Sequence, residues 1–368
     1  MIRATFSTVS AAALSAGLLA CGQPPPEENE QVTEAAAPVL RSAVSIGMEM
    51  GDSCYVFGDI RDACVMQDGT VLVLDSYDNS INAYDPGGTF LSETGGQGEG
   101  PGEYGSPFGM ISLEDGRILV SDAMLSRVTF LSPDLAVSET VGGFIPWAPE
   151  RISPASGSTF TGSHRTFDRN NNLYGHLVAL WSDAPEPDIE YYRREGNFNR
   201  ERLRESTEAT QVVFTSDFDG RVYIAPYSTS EYRIEVFDST GVLLYTIFEE
   251  REPRDRPLEE MEEERQSMRE QLEREGAPEM EWNPAEQYNM IPVRGMGTDS
   301  QGRLWVRDGR SPVPLFSVYS GEEHLFDVQL DDPSVPSEEL RVKVTPRGIL
   351  AWQGDPETYP ELFLLGLE

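Results

Sequence analysis

Cysteine, histidine and a recurring aspartate are the residue types in this chain with candidate chemistry. Cys54 and Cys64 stand ten residues apart. In an oxidising compartment such a pair suggests a disulfide. Two buried free thiols are the other reading, because spacing does not show that the side chains face each other. His164 and His176 are twelve apart with Asp168 between them, a set that could converge as metal ligands or as an acid–base pair. No H-E-x-x-H accompanies them, and His324 sits in the turn-like GEEH. Asp75, Asp122 and Asp308 each follow an apolar run, in VLVLD, RILVSD and LWVRD. An Asp repeated at one position could line a central channel and hold Ca²⁺. The favoured reading is that each closes its own turn by accepting backbone N–H bonds, since every repeat needs its turn satisfied and only one site needs a metal. Residues 95–107, GGQGEGPGEYGSP, hold no Lys and carry Glu99 and Glu103. They therefore read as a close backbone crossing, where glycine permits tight approach, and not as a phosphate loop. With no G-x-S-x-G elbow either, no catalytic, cofactor-binding or metal-ligating residue is assigned, and Ca²⁺ is the only cofactor held open.

These residues sit in a repeating paragraph: apolar strand, acidic-Gly turn, apolar strand, polar bend, a strand ending in an aromatic, then a turn. The clearest copies are residues 63–95, 110–141, 212–247 and 293–330. Asp-Gly and its relatives between short β-rich runs are strong hairpin signals. The turn glycines Gly69, Gly116, Gly157, Gly220, Gly302 and Gly348 are spaced by 47, 41, 63, 82 and 46 residues. Three of these intervals match four-stranded propeller blades. The third copy is weak, with residues 173–181 as its expected next strand. Six anchors predict an all-β fold, a six-bladed β-propeller of four-stranded blades over residues 39–368. The last copy shows three strands, so residues 39–47 are expected to supply the missing strand and close the ring, protecting the edges. The long interval holds a charged helical insertion at about residues 250–290. Pro257 suits its first turn and Gly276 with Pro278 its stop, while Leu258, Met261, Met268 and Leu272 make a thin apolar stripe.

The ends indicate export. Residues 1–20 have Arg3 followed by a small, apolar run, the layout of a signal peptide. Leu18, Leu19 and Ala20 lead into Cys21, which resembles the lipobox of bacterial lipoproteins. That resemblance implies cleavage before Cys21 and lipid attachment there, with Gly22 in the next place favouring the outer membrane. Residues 21–38 are rich in Pro and Glu and are expected to be a disordered tether. The chain carries 63 acidic against 28 basic residues, a net charge of -35. Nucleic acid is thereby disfavoured as a partner. Lys343 is the only lysine.

The Gly100-Pro101-Gly102-Glu103-Tyr104 segment, together with the repeat and the lipobox, resembles the bacterial six-bladed β-propeller lipoproteins, a group similar in style to NHL-repeat proteins. The resemblance implies a membrane-anchored, extracytoplasmic propeller in the cell envelope and brings no activity with it. The leading expectation is a binding or scaffold protein with a protein, peptide or carbohydrate ligand, and the reading leans against an enzyme. One alternative is a propeller-type hydrolase or lyase, such as a calcium-dependent lactonase or esterase working in the channel. Another is a component of an envelope assembly docked through the insertion.

Overall fold

The computed structural model describes residues 38–168, 170–199, 202–274, 276–277, 281–336, 340–353 and 359–368. The chain opens with β1 (Val39–Ile46). The first four-stranded sheet is β2 (Ile60–Val65), β3 (Val71–Asp75), β4 (Ser80–Tyr84) and β5 (Phe90–Gly95). The second is β6 (Pro107–Ser112), β7 (Ile118–Asp122), β8 (Arg127–Leu131) and β9 (Val137–Gly142). The third is β10 (Ile152–Pro154), β11 (Phe160–Asp168), β12 (Leu173–Trp181) and β13 (Ile189–Asn197). The helix α1 (Leu203–Glu208) leads to the fourth: β14 (Val212–Ser216), β15 (Val222–Pro226), β16 (Tyr232–Phe237) and β17 (Leu243–Glu249). After α2 (Leu258–Arg274) come β18 (Met296–Thr298), β19 (Leu304–Arg307), β20 (Leu315–Ser320), β21 (Glu323–Leu330), β22 (Leu340–Thr345), β23 (Gly348–Gln353) and β24 (Leu362–Leu367).

The expectation of six separate four-stranded blades is corrected here. Four sheets have four strands, and the remaining strands form one eight-stranded sheet in the order β18-β19-β20-β21-β1-β24-β23-β22. The cause is β1. It pairs antiparallel with β24 from Leu40 to Ile46, and its first two residues also pair in parallel with Gln329 and Leu330 of β21. Asp331 N–H donates to Leu40 O, and Ser42 N–H donates to the Asp332 carboxylate, so the junction is stitched on both sides.

Inner strands are buried on both faces because each sheet packs between two others. All five residues of β3, β4 and β7 are buried, whereas β5 and β9 are mostly exposed. Such strands read as continuous apolar runs and not as alternation. The core is accordingly a series of layers between neighbouring sheets. Leu72, Leu74 and Ile81 pack on Met110, Ile118 and Val120, and Phe130 joins Phe160 and Trp181 in the next layer. The tight hairpins between first and second strands need a left-handed residue, which Gly69 and Gly116 supply at φ 88° and 90°. The expected strand over residues 173–181 is β12 with those bounds.

The expected disulfide is also corrected. Cys54 and Cys64 are both free. Cys54 lies in a short 3-10 turn whose carbonyl accepts from the Tyr84 hydroxyl. Cys64 is buried in β2 among Met66, Leu72 and Met110, in the layer facing the second sheet. Burial pushes the Cys64 thiol up to about 12, so it stays protonated and inert. Alkylation of the folded protein should therefore spare Cys64, and reductant should leave the melting temperature unchanged. A drop on reduction would restore the bond. The membrane expectation rested on Cys21, which lies outside the described residues with the signal peptide and tether. Among the described residues no helix is long and apolar enough to cross a membrane.

The insertion is narrower than its sequence suggests. Arg251 belongs to the sheets: its guanidinium stacks 3.6 Å over the Tyr232 ring and donates to Glu249, Ser317 and Tyr319. The arms of the insertion pair at Asp255 and Gln287. On α2 only Leu272 is buried, and Leu258 is 82 % exposed. The stripe is thus incomplete, and the helix is held instead by polar contacts. Arg256 pairs with Glu260 and Glu264, and Trp282 Nε1 donates to Glu264 at 2.6 Å. Replacing residues 258–281 with a short Gly-Ser linker should leave the β circular dichroism intact and lower the melting temperature by only a few degrees, because loop closure depends weakly on length. Aggregation of that deletion would make the insertion part of the core.

Candidate functional site: a cationic channel mouth

The first strands of the repeats, β2, β6, β10, β14, β18 and β22, follow one another in contact, and β2 meets β23 and the Lys343 side chain of β22, so that they enclose a channel. A cavity of about 100 Å³ runs along them, reaching Ser216, Thr298 and Thr345 at their C-terminal ends; towards its N-terminal mouth it is lined by Asp62, Glu150, Arg151, Arg294, Arg341 and Lys343, with apolar walls that include Phe108, Met296 and Trp352. Strand periodicity places two of the cations. In β22, Leu340, Val342 and Val344 are buried while Arg341 and Lys343 alternate with them, so the two basic side chains share the other face. Arg151 and Arg294 come from the residues just before β10 and β18.

Lys343 is a structural cation. Its Nζ donates to Asp62 Oδ1 at 2.7 Å, to Met110 O at 2.8 Å and to Ala63 O at 3.1 Å. Asp62 in turn accepts from the backbone N–H groups of Ala63 and Met110, both at 2.9 Å. One buried ion pair therefore ties β22, β2 and β6 together. Glu150 is engaged as well, accepting from Arg165 Nε at 2.9 Å.

The three arginines differ. Among the described residues the Arg151 guanidinium donates to the Val212 carbonyl alone, at 3.2 Å. Among the described residues, no carboxylate forms an ion pair with Arg151, Arg294 or Arg341. Burial pushes the Arg151 guanidinium down to about 10, with Arg294 and Arg165 adding to the effect and Glu150 opposing it. Burial likewise lowers Arg341; Arg294 and Arg61 add to it, and Asp59 and Asp62 oppose it. In a chain with more than twice as many acids as bases, three guanidiniums share one opening, and the charge of Arg294 acts against both Arg151 and Arg341. Guanidinium forks match carboxylates and oxyanions.

The residues singled out by sequence do not gather here. Asp75 accepts from the N–H groups of Gly58, Asp59 and Tyr77. Asp122 accepts from those of Gly105, Ser106 and Leu125, and Asp308 from Arg310. All three close turns. Asp168 caps the turn at Asn170 and Asn171. His164 pairs across the ladder with Leu177, and His176 with Arg165; this one-residue offset puts the two rings on opposite faces of the sheet. His176 is held by Thr210 at 2.8 Å, and burial, with Arg151 and Arg165 nearby, pushes it down to about 4. His324 bonds Asp327 on an outer strand. In the Gly-rich loop the carbonyls of Glu99, Gly100 and Glu103 point at Arg127, the reverse of a phosphate cradle.

What sequence reasoning missed is a recurrence of arginine. Arg61, Arg151, Arg294 and Arg341 each stand six to eight residues before a turn glycine. That offset marks the opening of an innermost strand, and three of the four face the mouth.

A family model described as "DUF5128: 6-bladed beta-propeller" matches residues 39–135. The match stops within the second sheet, which corrects the expected resemblance to whole six-bladed β-propeller lipoproteins to a partial one. No curated protein matches the sequence. Among solved structures, a putative exported protein from Bacteroides fragilis is similar at 11% identity and TM-score 0.49, over 90% of this chain and 96% of that one. A streptogramin B lyase is similar at 11% identity and TM-score 0.43, over 90% and 98%. A PQQ-bound aldose sugar dehydrogenase from Streptomyces coelicolor is similar at 12% identity and TM-score 0.41, over 90% and 99%. A lyase and a dehydrogenase stand among these similar structures, and the leaning against an enzyme is not carried forward.

Proposed function

We propose that the channel mouth recognises a small organic anion, and that Arg151, Arg294 and Arg341 hold its charged group. The observation that carries this reading is three guanidiniums sharing one opening without a carboxylate partner among the described residues. The protein's own negative field discourages nucleic acid and large polyanions at long range, so the ligand is small enough to enter a channel. A melting series tests this directly. Citrate at constant ionic strength should raise the melting temperature in proportion to the logarithm of its concentration, and Arg294→Ala should abolish the rise. An equal rise with chloride alone would defeat the reading.

Turnover of the bound anion, of the lyase kind, is the second reading, and the same residues favour it. A guanidinium pair that neutralises a substrate carboxylate stabilises the charge that develops as the adjacent C–H proton passes to a base, the C–H electron pair forms the new C=C bond and the β-substituent leaves with its own bonding pair; Glu150 Oε2 is the base in the lining, since Arg165 bonds only Oε1. The calcium-dependent version does not fit the donors. The two carboxylates in the lining, Asp62 and Glu150, are engaged by Lys343 and Arg165. The remaining charges at the mouth repel a cation, whereas Ca²⁺ takes six to eight oxygen ligands.

We place this activity in an exported protein tethered by lipid at Cys21, on the strength of the leader and lipobox residues. Cys21→Ala should shift the protein from the membrane fraction to the soluble fraction. Retention equal to the parent would remove the anchor.

A further inference from the structure

A second cavity, of about 440 Å³, lies beside the mouth and shares Val293 with it. Its walls come from α1, which supplies Arg204 and Glu208, and from the insertion, which supplies Arg256, Glu260, Glu264 and Trp282. Two further aromatics, Tyr227 and Tyr288, complete the lining. The size suits a small molecule, but the lining is far more polar than the mainly apolar pockets that take drug-like compounds. The polar groups are prearranged. Arg256 bridges Glu260 at 2.9 Å and Glu264 at 2.7 Å, Arg204 pairs with Glu208 at 2.6 Å, and Tyr288 donates to Glu260. Each carboxylate keeps free lone pairs and each guanidinium keeps free N–H donors. Donors and acceptors are thus interleaved around aromatic surfaces, which is the complement of a ring that carries hydroxyls on its rim and C–H groups on its faces. The connection between β17 and β18 delivers both parts, because it passes from Trp282 in this cavity to Arg294 at the mouth.

We propose that the two cavities are halves of one site that takes an acidic saccharide, with a sugar ring against Trp282 and its acidic group among Arg151, Arg294 and Arg341. This rests on the anion reading above and adds the chemical class of the rest of the ligand. The acid could be a uronate carboxylate or a sulfate ester, since guanidinium recognises both.

Calorimetric titration of the full mature chain tests it with four probes: digalacturonate, galactose 6-sulfate, cellobiose and succinate. At least one acidic sugar should bind ten-fold or more tighter than succinate, and cellobiose should bind weakly. Trp282→Ala should cost the acidic sugar ten-fold or more and leave succinate unchanged, with Trp282→Phe recovering part of the loss. Arg294→Ala should weaken the acidic sugars and succinate alike. Which of the two acidic sugars binds assigns the acid. Equal affinity for succinate and both acidic sugars, or a Trp282→Ala variant that binds them like the parent, would overturn the saccharide while leaving the anion reading in place. Failure of Arg294→Ala to affect succinate, or no binding of any probe, would overturn both.

Discussion

Replacing Lys343 with methionine is expected to lower stability by about 3 kcal/mol, near the lower end for removing one partner of a buried ion pair. The lower end applies because the Lys343 side chain keeps 21% exposure against 7% for Asp62. The destabilisation has two parts. Asp62 would keep a buried charge with only the two backbone N–H donors of Ala63 and Met110. The carbonyls of Ala63 and Met110 would be left without their shared donor. For a ring of this size the melting temperature should fall by roughly 4–5 °C. Adding Asp62→Leu should not rescue it, because the backbone N–H groups of Ala63 and Met110 would then lack their acceptor. A melting temperature within about a degree of the parent, measured by circular dichroism under the same conditions, would show that this pair does not tie the three strands together.

The second large effect concerns the arginines, and it runs in opposite directions for binding and stability. Arg151→Ala with Arg294→Ala should weaken a bound organic anion by roughly a hundred-fold or more, taking about 1.5–3 kcal/mol for each charge-assisted hydrogen bond removed. The unliganded double variant should melt no lower than the parent, and a little higher, because like charges that repel one another have been removed. Ordinary core or packing residues show the reverse pattern, losing stability when truncated. The pH dependence has a definite form. Burial and the neighbouring Arg294 and Arg165 disfavour the Arg151 charge, but a guanidinium keeps its proton throughout the range in which proteins stay folded. Affinity for a fully ionised anion should therefore be flat from about pH 6 to pH 9. Calorimetry at a series of pH values checks this, and a fall in affinity across neutrality would point to a histidine and not the arginines.

The hairpins were legible in the sequence because their signals are local. Gly69 and Gly116 sit where a left-handed turn residue is required, and the apolar runs beside them became fully buried strands. The pairing of β1 was only half legible. A leftover strand at one end and a three-strand remnant at the other point to each other. Nothing near Val39 announces a second pairing with Gln329, some 290 residues away, and that pairing fuses the last strands into one sheet. The cysteine pair misled because ten residues of separation span a bend whose two sides face different layers. The candidate site was overlooked for a different reason. Attention to Asp, His and Cys follows catalytic chemistry, and each of those residues proved to serve a turn or a sheet face. The informative signal was an arginine six to eight residues before each of four turn glycines, in a chain otherwise dominated by acids. Its meaning depends on knowing that this offset faces a common channel.

A crystal of the mature chain soaked in selenate, with data collected at the selenium edge, tests the central claim most directly. An anomalous peak is expected within hydrogen-bond distance of Arg294 and of at least one of Arg151 and Arg341, with no peak there in the Arg151→Ala, Arg294→Ala variant. An empty mouth with selenate bound elsewhere, or a peak that survives in the variant, would contradict it.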